Sequence, residues 1–403
     1  MSWIKTRSGS RNFPAQLRSR PGRIAYLGAS VTVQQQGYRP LLHFLLIQHF
    51  GRPHLAVNAG VGGVGVMGGV LLMDDLVIAH RPDYCFVEFS TADYTGPLPL
   101  QESAAALEGV FRKLAAIDCR ACLLHLYRAD LDYPRMPAVV AAFEEVAEAY
   151  QVPSLHVGHW LGDQFEAGHL TKELLYSDLV HTTPAGANHV AETIFHGLRV
   201  VWEAAPAQPL ALPTTVSPLH PNHCQFTALL PADQIMGEGE PQQGRFREFY
   251  DYVQVGFEHT FVLECADTLV GMVVVVGPDA GVVEVVSPLS TQRIQLWDPW
   301  CHYDRLQTMI FWPNFAPGTP VRVRLIDVPI DYGDVPEGSR FGQASAKVLK
   351  SFLPRVRCCR RHSSARACSK QRMWGLSLAI CWRGAVSLPR WATSTLSSQS
   401  PAM

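Results

Sequence analysis

Charged residues are scarce in this chain of 403 amino acids. Asp, Glu, Lys and Arg together make up 17% of the sequence, compared with roughly 25% in typical soluble domains. The formal net charge is −1, which is not the balance of a strongly basic nucleic-acid-binding protein. The length and the hydrophobic share of 47% predict a globular protein of about two or three domains that does not bind nucleic acid.

A long uninterrupted hydrophobic run is also missing. No stretch reaches the roughly 20 apolar residues that a membrane-spanning helix needs. Residues 1–23 contain several basic side chains but no apolar segment of the length found in secretory signals. We therefore predict a cytoplasmic protein without a membrane span, and its oligomeric state stays open.

The ten cysteines do not form the pattern of a disulfide framework in a chain of this length. Cys119 and Cys122 make one CxxC motif, but no second pair follows at zinc-ribbon spacing. Cys122 opens an apolar run, which favours a buried thiol over a metal ligand. His125 lies in the same run and reads as a core histidine, while a metal site at His156 and His159 is disfavoured. The sequence predicts no metal and no cofactor.

Acidic residues are absent from the last part of the chain. After residue 344 there are eleven Lys or Arg residues and no Asp or Glu, so the preceding part is acidic. This last segment also shows no sustained hydrophobic period. We predict an irregular basic tail over 345–403, disordered or translated from a shifted reading frame; the alternative is a basic tail that binds an acidic partner.

The first half of the chain alternates short apolar runs with longer helical patterns. The runs predict strands over 24–28, 55–58, 84–90, 122–127 and 153–157. The longer patterns predict helices over 38–50, 70–80, 103–117, 138–150 and 184–202, the first of them capped by Gly51. This alternation predicts a three-layer α/β domain with a flavodoxin-like parallel sheet, whose ligands bind at the carboxyl ends of the strands.

The pattern changes after about residue 203. A segment rich in Pro and Ala is followed by β-branched runs over 261–263, 269–276, 282–286, 293–297 and 321–326, without helical patterns between them. Such a series predicts a smaller all-β sandwich. The predicted organisation is an N-terminal extension over 1–22, the α/β domain over 23–203, a linker over 204–218, the β-sandwich over 219–344 and the tail.

Four loops at predicted strand ends carry chemically useful residues. Ser30 follows the first strand, and the glycine-rich loop over 58–65 follows the second, without the Lys of a phosphate-binding loop. Thr91 follows the third strand. Asp178 and His181 lie three residues apart just before the last helix, a spacing at which the carboxylate can orient the imidazole and leave its other nitrogen free to accept a serine proton.

The order and spacing of these four blocks, over about residues 23–202, resemble the SGNH (GDSL-type) serine hydrolase family. The resemblance implies a carboxylic ester hydrolase with Ser30 as nucleophile, His181 as general base and Asp178 as the residue that orients it. It further implies an oxyanion hole that includes the backbone N–H groups of Ser30 and Gly63. Other glycines of that loop, at positions 60 and 62, compete with Gly63 for this role.

Two positions depart from the family pattern. The usual Gly-Asp-Ser is here Gly28-Ala29-Ser30, which keeps the nucleophile. The third block usually ends in Asn-Asp, whereas this chain has Ala92 before Asp93. The resemblance implies that this Asn donates to the oxyanion, and loss of one such donor costs about 10²–10³ in turnover. Thr91 is the predicted substitute donor.

Several aromatic and acidic residues are concentrated around position 300. The segment 297–304 contains Trp297, Trp300 and Tyr303, which can stack on sugar rings, although a core role for such aromatics is the alternative. We predict hydrolysis of an ester, O-acetyl in particular, on a small molecule or carbohydrate through an acyl-enzyme. The alternatives are a catalytically weakened carbohydrate-binding or polysaccharide-assembly protein and an O-acyltransferase.

Overall fold

The structure is a computed structural model, and all the residues it describes belong to one compact unit, Met1–Arg357. The described residues are 3–7, 17–94, 99–131, 133, 135–203, 224–226, 235–237, 242–246, 250–257, 259–264, 269–298, 301, 303–316, 318–330 and 346–354. The predicted linker over 204–218 lies outside these residues, as does the tail after residue 354.

A six-stranded, mostly parallel sheet forms the centre of the first half. Its strands are β1 Ile4–Lys5, β2 Arg23–Gly28, β3 Leu55–Gly60, β4 Tyr84–Glu88, β5 Arg120–Leu124 and β6 Ser154–Leu155. Their order is β1-β6-β5-β4-β2-β3, and only β1 pairs antiparallel to its neighbour. The predicted flavodoxin-like sheet is confirmed. The edge strand β1 comes from the segment that was predicted to be an extension.

Helices cover this sheet. In the described residues they are α1 Ser30–Val33, α2 Tyr38–Phe50, α3 Val66–Leu76, α4 Ser90–Asp93, α5 Leu100–Ala116, α6 Ala138–Ala149, α7 Val157–Glu166, α8 Lys172–Leu175 and α9 Pro184–Glu203. Gly51 ends α2 in the left-handed conformation (φ 64°) and donates its N–H to Ile47, as its sequence position predicts. The helix α7 was not predicted. None of the described helices is both long enough and apolar enough to cross a membrane.

Each face of the parallel sheet is buried under helices. In β2 the side chains of Ile24 and Tyr26 pack on the face covered by α2, α7 and α9, whereas Ala25 and Leu27 pack on the face covered by α3, α5 and α6. Alternate residues of a strand point to opposite faces, so a strand buried on both sides reads as a continuous apolar run. This is why the strands were visible in the sequence.

The strand order reverses beside β2. Its neighbours are β3 on one side and β4 on the other. The chain passes from β2 to β3 on one side and then crosses to β4 on the opposite side, from where it continues away from β2 to β5. Loops that follow the strands at such a switch point separate and leave a crevice at the carboxyl edge of the sheet. The loops after β2, β3 and β4 all open into this crevice.

Two antiparallel sheets make up the described part of the second half. One has the order β15-β12-β17-β10-β9 with β7 beside β17, and the other has the order β14-β13-β16-β11-β8. The strands are β7 Cys224–Phe226, β8 Ile235–Gly237, β9 Gln242–Phe246, β10 Tyr250–Val255, β11 His259–Glu264, β12 Leu269–Val276, β13 Val282–Val286, β14 Thr291–Gln295, β15 Arg305–Phe315, β16 Pro320–Ile326 and β17 Ala346–Pro354.

Three strands of this half show what the sequence pattern did not reveal. β15 includes Pro313, and its pairing with β12 shifts register between Leu269 and Gly271, an irregularity of the kind that accommodates proline in a sheet. β9 is rich in polar residues and so lacks an apolar signal. β17 pairs with β12 and β10, so the sheet extends past the predicted boundary at residue 345.

The first antiparallel sheet shares a hydrophobic core with the α/β half. Phe246, Val273, Val275 and Leu306 belong to the same buried cluster as the apolar residues of α3. Burial of apolar area is the main favourable term in such packing. The shared cluster therefore holds the start of β15 beside the glycine-rich loop that precedes α3.

This shared core predicts a stability difference between two leucines. Leu306→Ala leaves a cavity at a side chain that is 4% exposed, and we expect it to lower the free energy of unfolding by about 2–5 kcal/mol. Leu289→Ala is the matched control because Leu289 is 89% exposed, and it should change stability by less than about 0.5 kcal/mol. Equilibrium denaturation measures both; equal effects would contradict the packing described for Leu306.

Candidate active site

Ser30 lies at the carboxyl end of β2, where the chain turns into the short helix α1. It is partly exposed, and the buried residue Ala29 precedes it as the N-cap of the helix. Gly28 is required just before, because a Cβ there would lie 2.3 Å from the Thr32 hydroxyl oxygen and 2.5 Å from the Glu88 carbonyl oxygen. The close approach of β2, β4 and α1 thus presents the serine hydroxyl at the edge of the sheet.

The loop before α9 brings Asp178 and His181 together. One carboxylate oxygen of Asp178, Oδ1, accepts hydrogen bonds from the backbone N–H groups of Val180 (2.8 Å) and His181 (2.7 Å). The other, Oδ2, lies 2.8 Å from His181 Nδ1. Partial burial alone would raise the pKa of Asp178, but the hydrogen bonds from these two amides and the imidazole outweigh it and lower the pKa below its usual value.

His181 in turn reaches Ser30. Its Nε2 lies 2.9 Å from Ser30 Oγ, across 151 residues of sequence. The loop is closed by a β-bridge between Tyr176 and Thr182 and by a hydrogen bond from the Ser177 N–H to the His181 carbonyl. The three side chains that the sequence predicted as catalytic therefore form one continuous hydrogen-bonded chain.

The glycine-rich loop after β3 faces the same crevice. Gly62 and Gly63 line a cavity of about 370 Å³ together with Ser30 and His181. Gly63 has a positive φ of 74°, a conformation that favours glycine. The N–H of Gly60 instead donates to Asn58 Oδ1 at 3.2 Å, so Gly60 is the weaker of the competing oxyanion donors.

The loop after β4 places Thr91 and Ala92 in the cavity wall. The Thr91 hydroxyl donates to Glu88 Oε1 at 2.9 Å, and the Thr91 N–H lies 3.2 Å from the same oxygen. The single hydroxyl proton of Thr91 thus serves the carboxylate of Glu88. This arrangement differs from the expected use of Thr91 as a substitute oxyanion donor, because a buried carboxylate requires donors of its own.

The second half of the chain completes the cavity with Asp298, Tyr303 and Arg305. Tyr303 is 48% exposed at the cavity, and its hydroxyl lies beside Gly62. Trp297, in contrast, is buried and is not part of the cavity lining, so the structure places it in the packed interior. Trp300 lies outside the described residues. The sequence indicated an aromatic contact here but not the charged pair Asp298 and Arg305.

A separate buried cluster is the one group among the described residues with the geometry to hold a metal ion. Glu144 Oε1 lies 3.0 Å from His125 Nε2 and 3.3 Å from His156 Nε2, while its Oε2 accepts from Arg7 at 2.8 Å. Burial lowers the pKa of His125 to about 4, although the hydrogen bond with Glu144 partly opposes this. Because Arg7 balances the charge of Glu144, we interpret the cluster as a structural network around one carboxylate.

The CxxC cysteines form no disulfide. Cys119 and Cys122 are both buried, and Cys122 lies on β5 in the parallel sheet. Burial raises the pKa of Cys122 to about 12. A thiol so far from ionisation is a poor nucleophile and a poor metal ligand.

Known proteins support the same interpretation of the first half of the chain. Residues 24–189 match the family of GDSL-like lipases and acylhydrolases. This match, over about two fifths of the chain, confirms the predicted resemblance to GDSL-type hydrolases and the predicted carboxylic ester hydrolase. No curated protein matches the chain.

Two solved structures resemble nearly the whole chain. Both are of a two-domain esterase active on acetylated mannans, one of them crystallised with mannopentaose. Each is 17% identical with a TM-score of 0.66, and the alignment covers 87% of this chain and 96% or 97% of the other. The likeness shows that the two proteins share a fold across the parallel and the antiparallel sheets.

The buried carboxylate beneath the cavity predicts a pH-dependent stability. Burial raises the pKa of Glu88 to about 7, and hydrogen bonds from Thr91 lower it only in part. The folded-state pKa exceeds the unfolded value of about 4.5. The contribution of Glu88 to the free energy of unfolding is therefore fully present below pH 4.5 and is lost as the pH rises to 7. Gln at this position stays neutral, so the free energy of unfolding of Glu88→Gln, relative to that of wild type, should increase by about 2–3 kcal/mol between pH 5 and pH 8.

Denaturation of both proteins at the two pH values measures this gain. Glu145→Gln, at an exposed position of α6, is the control and should show the same difference from wild type at both pH values. A Glu88→Gln effect that does not change with pH would contradict the raised pKa.

Proposed function

We propose that the chain hydrolyses O-acetyl esters of a sugar or polysaccharide, with Ser30 as nucleophile, His181 as general base and Asp178 as the orienting carboxylate. The observation that carries this proposal is the hydrogen-bonded chain from Asp178 Oδ2 to His181 Nδ1 (2.8 Å) and from His181 Nε2 to Ser30 Oγ (2.9 Å). Nucleophile, base and orienting group within hydrogen-bond reach are the geometric signature of an activated serine.

The reaction then follows from the positions of the protons. Ser30 Oγ attacks the carbonyl carbon of the ester while its proton moves to His181 Nε2, and the carbonyl π electrons move onto oxygen. Collapse of this oxyanion breaks the ester bond, and the leaving alkoxide takes the proton from His181. Water repeats the two steps on the acyl-enzyme, so that the acid is released and Ser30 is regenerated.

The cavity favours a small acyl group on a polar alcohol. Small residues surround Ser30, which leaves room beside the nucleophile for an acetyl group. Tyr303 also lines the cavity, where it presents an exposed ring and a hydroxyl that can bond to a sugar hydroxyl. The activity of the structurally similar two-domain esterase on acetylated mannans supports this choice of substrate.

Loss of the nucleophile tests the proposal. Ser30→Ala should lower acetate release from p-nitrophenyl acetate and from acetylated mannan at least a hundredfold, because the proposed acyl-enzyme forms on the hydroxyl that the substitution removes. Ser290→Ala is the control, since Ser290 hydrogen-bonds within its own turn between β13 and β14. Binding of the mannan without turnover, unchanged by Ser30→Ala, would favour a binding protein. Transfer of labelled acetyl to a sugar would favour an acyltransferase.

The two oxygens of Asp178 predict different effects for two substitutions. Asp178→Asn keeps the acceptor for the Val180 and His181 amides but places an NH₂ group opposite His181 Nδ1, which forces the wrong tautomer. We expect kcat to fall about 10³–10⁴-fold with a nearly unchanged melting temperature. Asp178→Ala should reduce kcat and also lower the melting temperature, because the loop loses both amide acceptors. Equal melting temperatures for the two variants would contradict the role of Oδ1.

A further inference from the structure

Arg305 lies where the second half of the chain meets the glycine-rich loop. It is the first residue of β15 and is 3% exposed. Its backbone pairs with Val276 of β12, and the next residue, Leu306, belongs to the core shared with α3. The backbone that carries the guanidinium is thus fixed by a strand pair on one side and by hydrophobic packing on the other.

The guanidinium itself is in contact with Gly63. A Cβ built on Gly63 would lie 2.6 Å from Arg305 Nη1, so a larger residue there would displace the guanidinium from its present position. Glycine at this position allows the cation to lie directly against the loop backbone. The same loop backbone is the one expected to donate an N–H to the oxyanion.

Part of the guanidinium has hydrogen-bonding capacity to spare. Nη2 pairs with Asp298 Oδ2, and Nη1 makes one long contact of 3.5 Å with Gln307 Oε1. Nε is buried and has no hydrogen-bond partner among the described residues. A buried donor without a partner costs about 1–3 kcal/mol, and an oxygen atom bound in the cavity could supply that partner.

The other arginine of the cavity is held away from the glycine-rich loop by its own partners. Arg128 donates Nη1 to the Thr91 carbonyl at 2.9 Å and Nη2 to Asp130 at 3.0 Å; its Nε forms an ion pair of 2.7 Å with the same carboxylate but, like that of Arg305, makes no hydrogen bond to the described residues. Thr91 gives its hydroxyl proton to Glu88. Among the described arginines of the cavity wall, Arg305 is the one whose guanidinium lies against Gly63 of the glycine-rich loop.

We propose that Arg305 is the third donor of the oxyanion hole and supplies the hydrogen bond and positive charge for which Ala92 has no side chain. This inference rests on the proposed function. When Ser30 Oγ adds to the carbonyl carbon, negative charge develops on the carbonyl oxygen beside the N–H of Gly63, and a guanidinium N–H donates to it. Arg305 keeps all its protons throughout, since the proton of Ser30 moves to His181 and returns to the leaving alkoxide.

The role of Asp298 follows from the same geometry. A bare guanidinium buried in this wall would be strongly destabilising, whereas an arginine paired with one carboxylate is tolerated and held in one orientation. Asp298 is the positioning residue: it binds Nη2 and so fixes the orientation of a guanidinium that lines the cavity. Arg305, on a strand of the antiparallel half, thus lines the same cavity as Ser30, which follows a strand of the parallel half.

The test compares Arg305→Lys, Arg305→Gln and the double variant Arg305→Gln/Asp298→Asn in the full chain. The double variant removes both charges of the pair, so it folds without an unpaired buried carboxylate. For p-nitrophenyl acetate, we expect kcat to fall about 10²–10³-fold in the double variant, with KM within threefold of wild type. Arg305→Lys should retain a larger share of the wild-type kcat than the double variant, because an ammonium keeps the charge although it lacks the planar fork of the guanidinium. Arg324→Gln, which breaks the ion pair between Arg324 on β16 and Glu284 on β13, is the matched control and should keep wild-type kcat.

A second readout separates a donor from a merely structural residue. Methylboronic acid forms an anionic tetrahedral adduct on a serine hydroxyl, so its inhibition constant reports the oxyanion site. It should rise about a hundredfold in the double variant while the melting temperature stays within a few degrees of wild type. A higher KM with unchanged kcat, or unchanged boronate inhibition, would overturn the role of Arg305. If wild type is as inactive as Ser30→Ala, the proposed function fails and this inference with it; activity that needs Ser30 but not Arg305 overturns the inference alone.

Discussion

The carboxylate of Asp178 fixes both the loop between α8 and α9 and the imidazole ring of His181. No helix or strand orients His181, which lies on the irregular segment between α8 and α9. Its direction comes from Asp178, whose Oδ1 fixes the backbone of the loop through two amides while Oδ2 fixes the imidazole. The contact with Ser30 across 151 residues depends on this one group, and so does the chemistry proposed for it.

A second constraint acts from the other half of the chain. The apolar cluster shared between α3 and the strands β9, β12 and β15 places Arg305 and Tyr303 at the glycine-rich loop. The cavity beside Ser30 is therefore built by both halves, and each contributes a different property. The parallel half supplies the proposed nucleophile and base, Ser30 and His181, and the antiparallel half supplies the buried cation of Arg305 and the exposed ring of Tyr303.

The sequence predicted the α/β half well because its signals are local. Buried parallel strands are continuous apolar runs, and the helix end at Gly51 needs a left-handed residue, so both leave a mark within a few positions. The antiparallel half was predicted less completely. The polar strand β9, the proline-containing β15 and the strand β17 beyond residue 345 obtain their pairing from partners far away in sequence, which no local period records.

By itself, the sequence determined the order of the four loops and the positions of Ser30, Asp178 and His181. The end of a strand constrains the position of Ser30, and a spacing of three residues constrains the distance between Asp178 and His181. Only the tertiary structure decided what surrounds them. It directed the Thr91 proton to Glu88, buried Trp297 and laid Arg305 against Gly63. These outcomes depend on which buried groups compete for the same donors and on which surfaces meet when two sheets share a core, and a linear pattern carries no information about either.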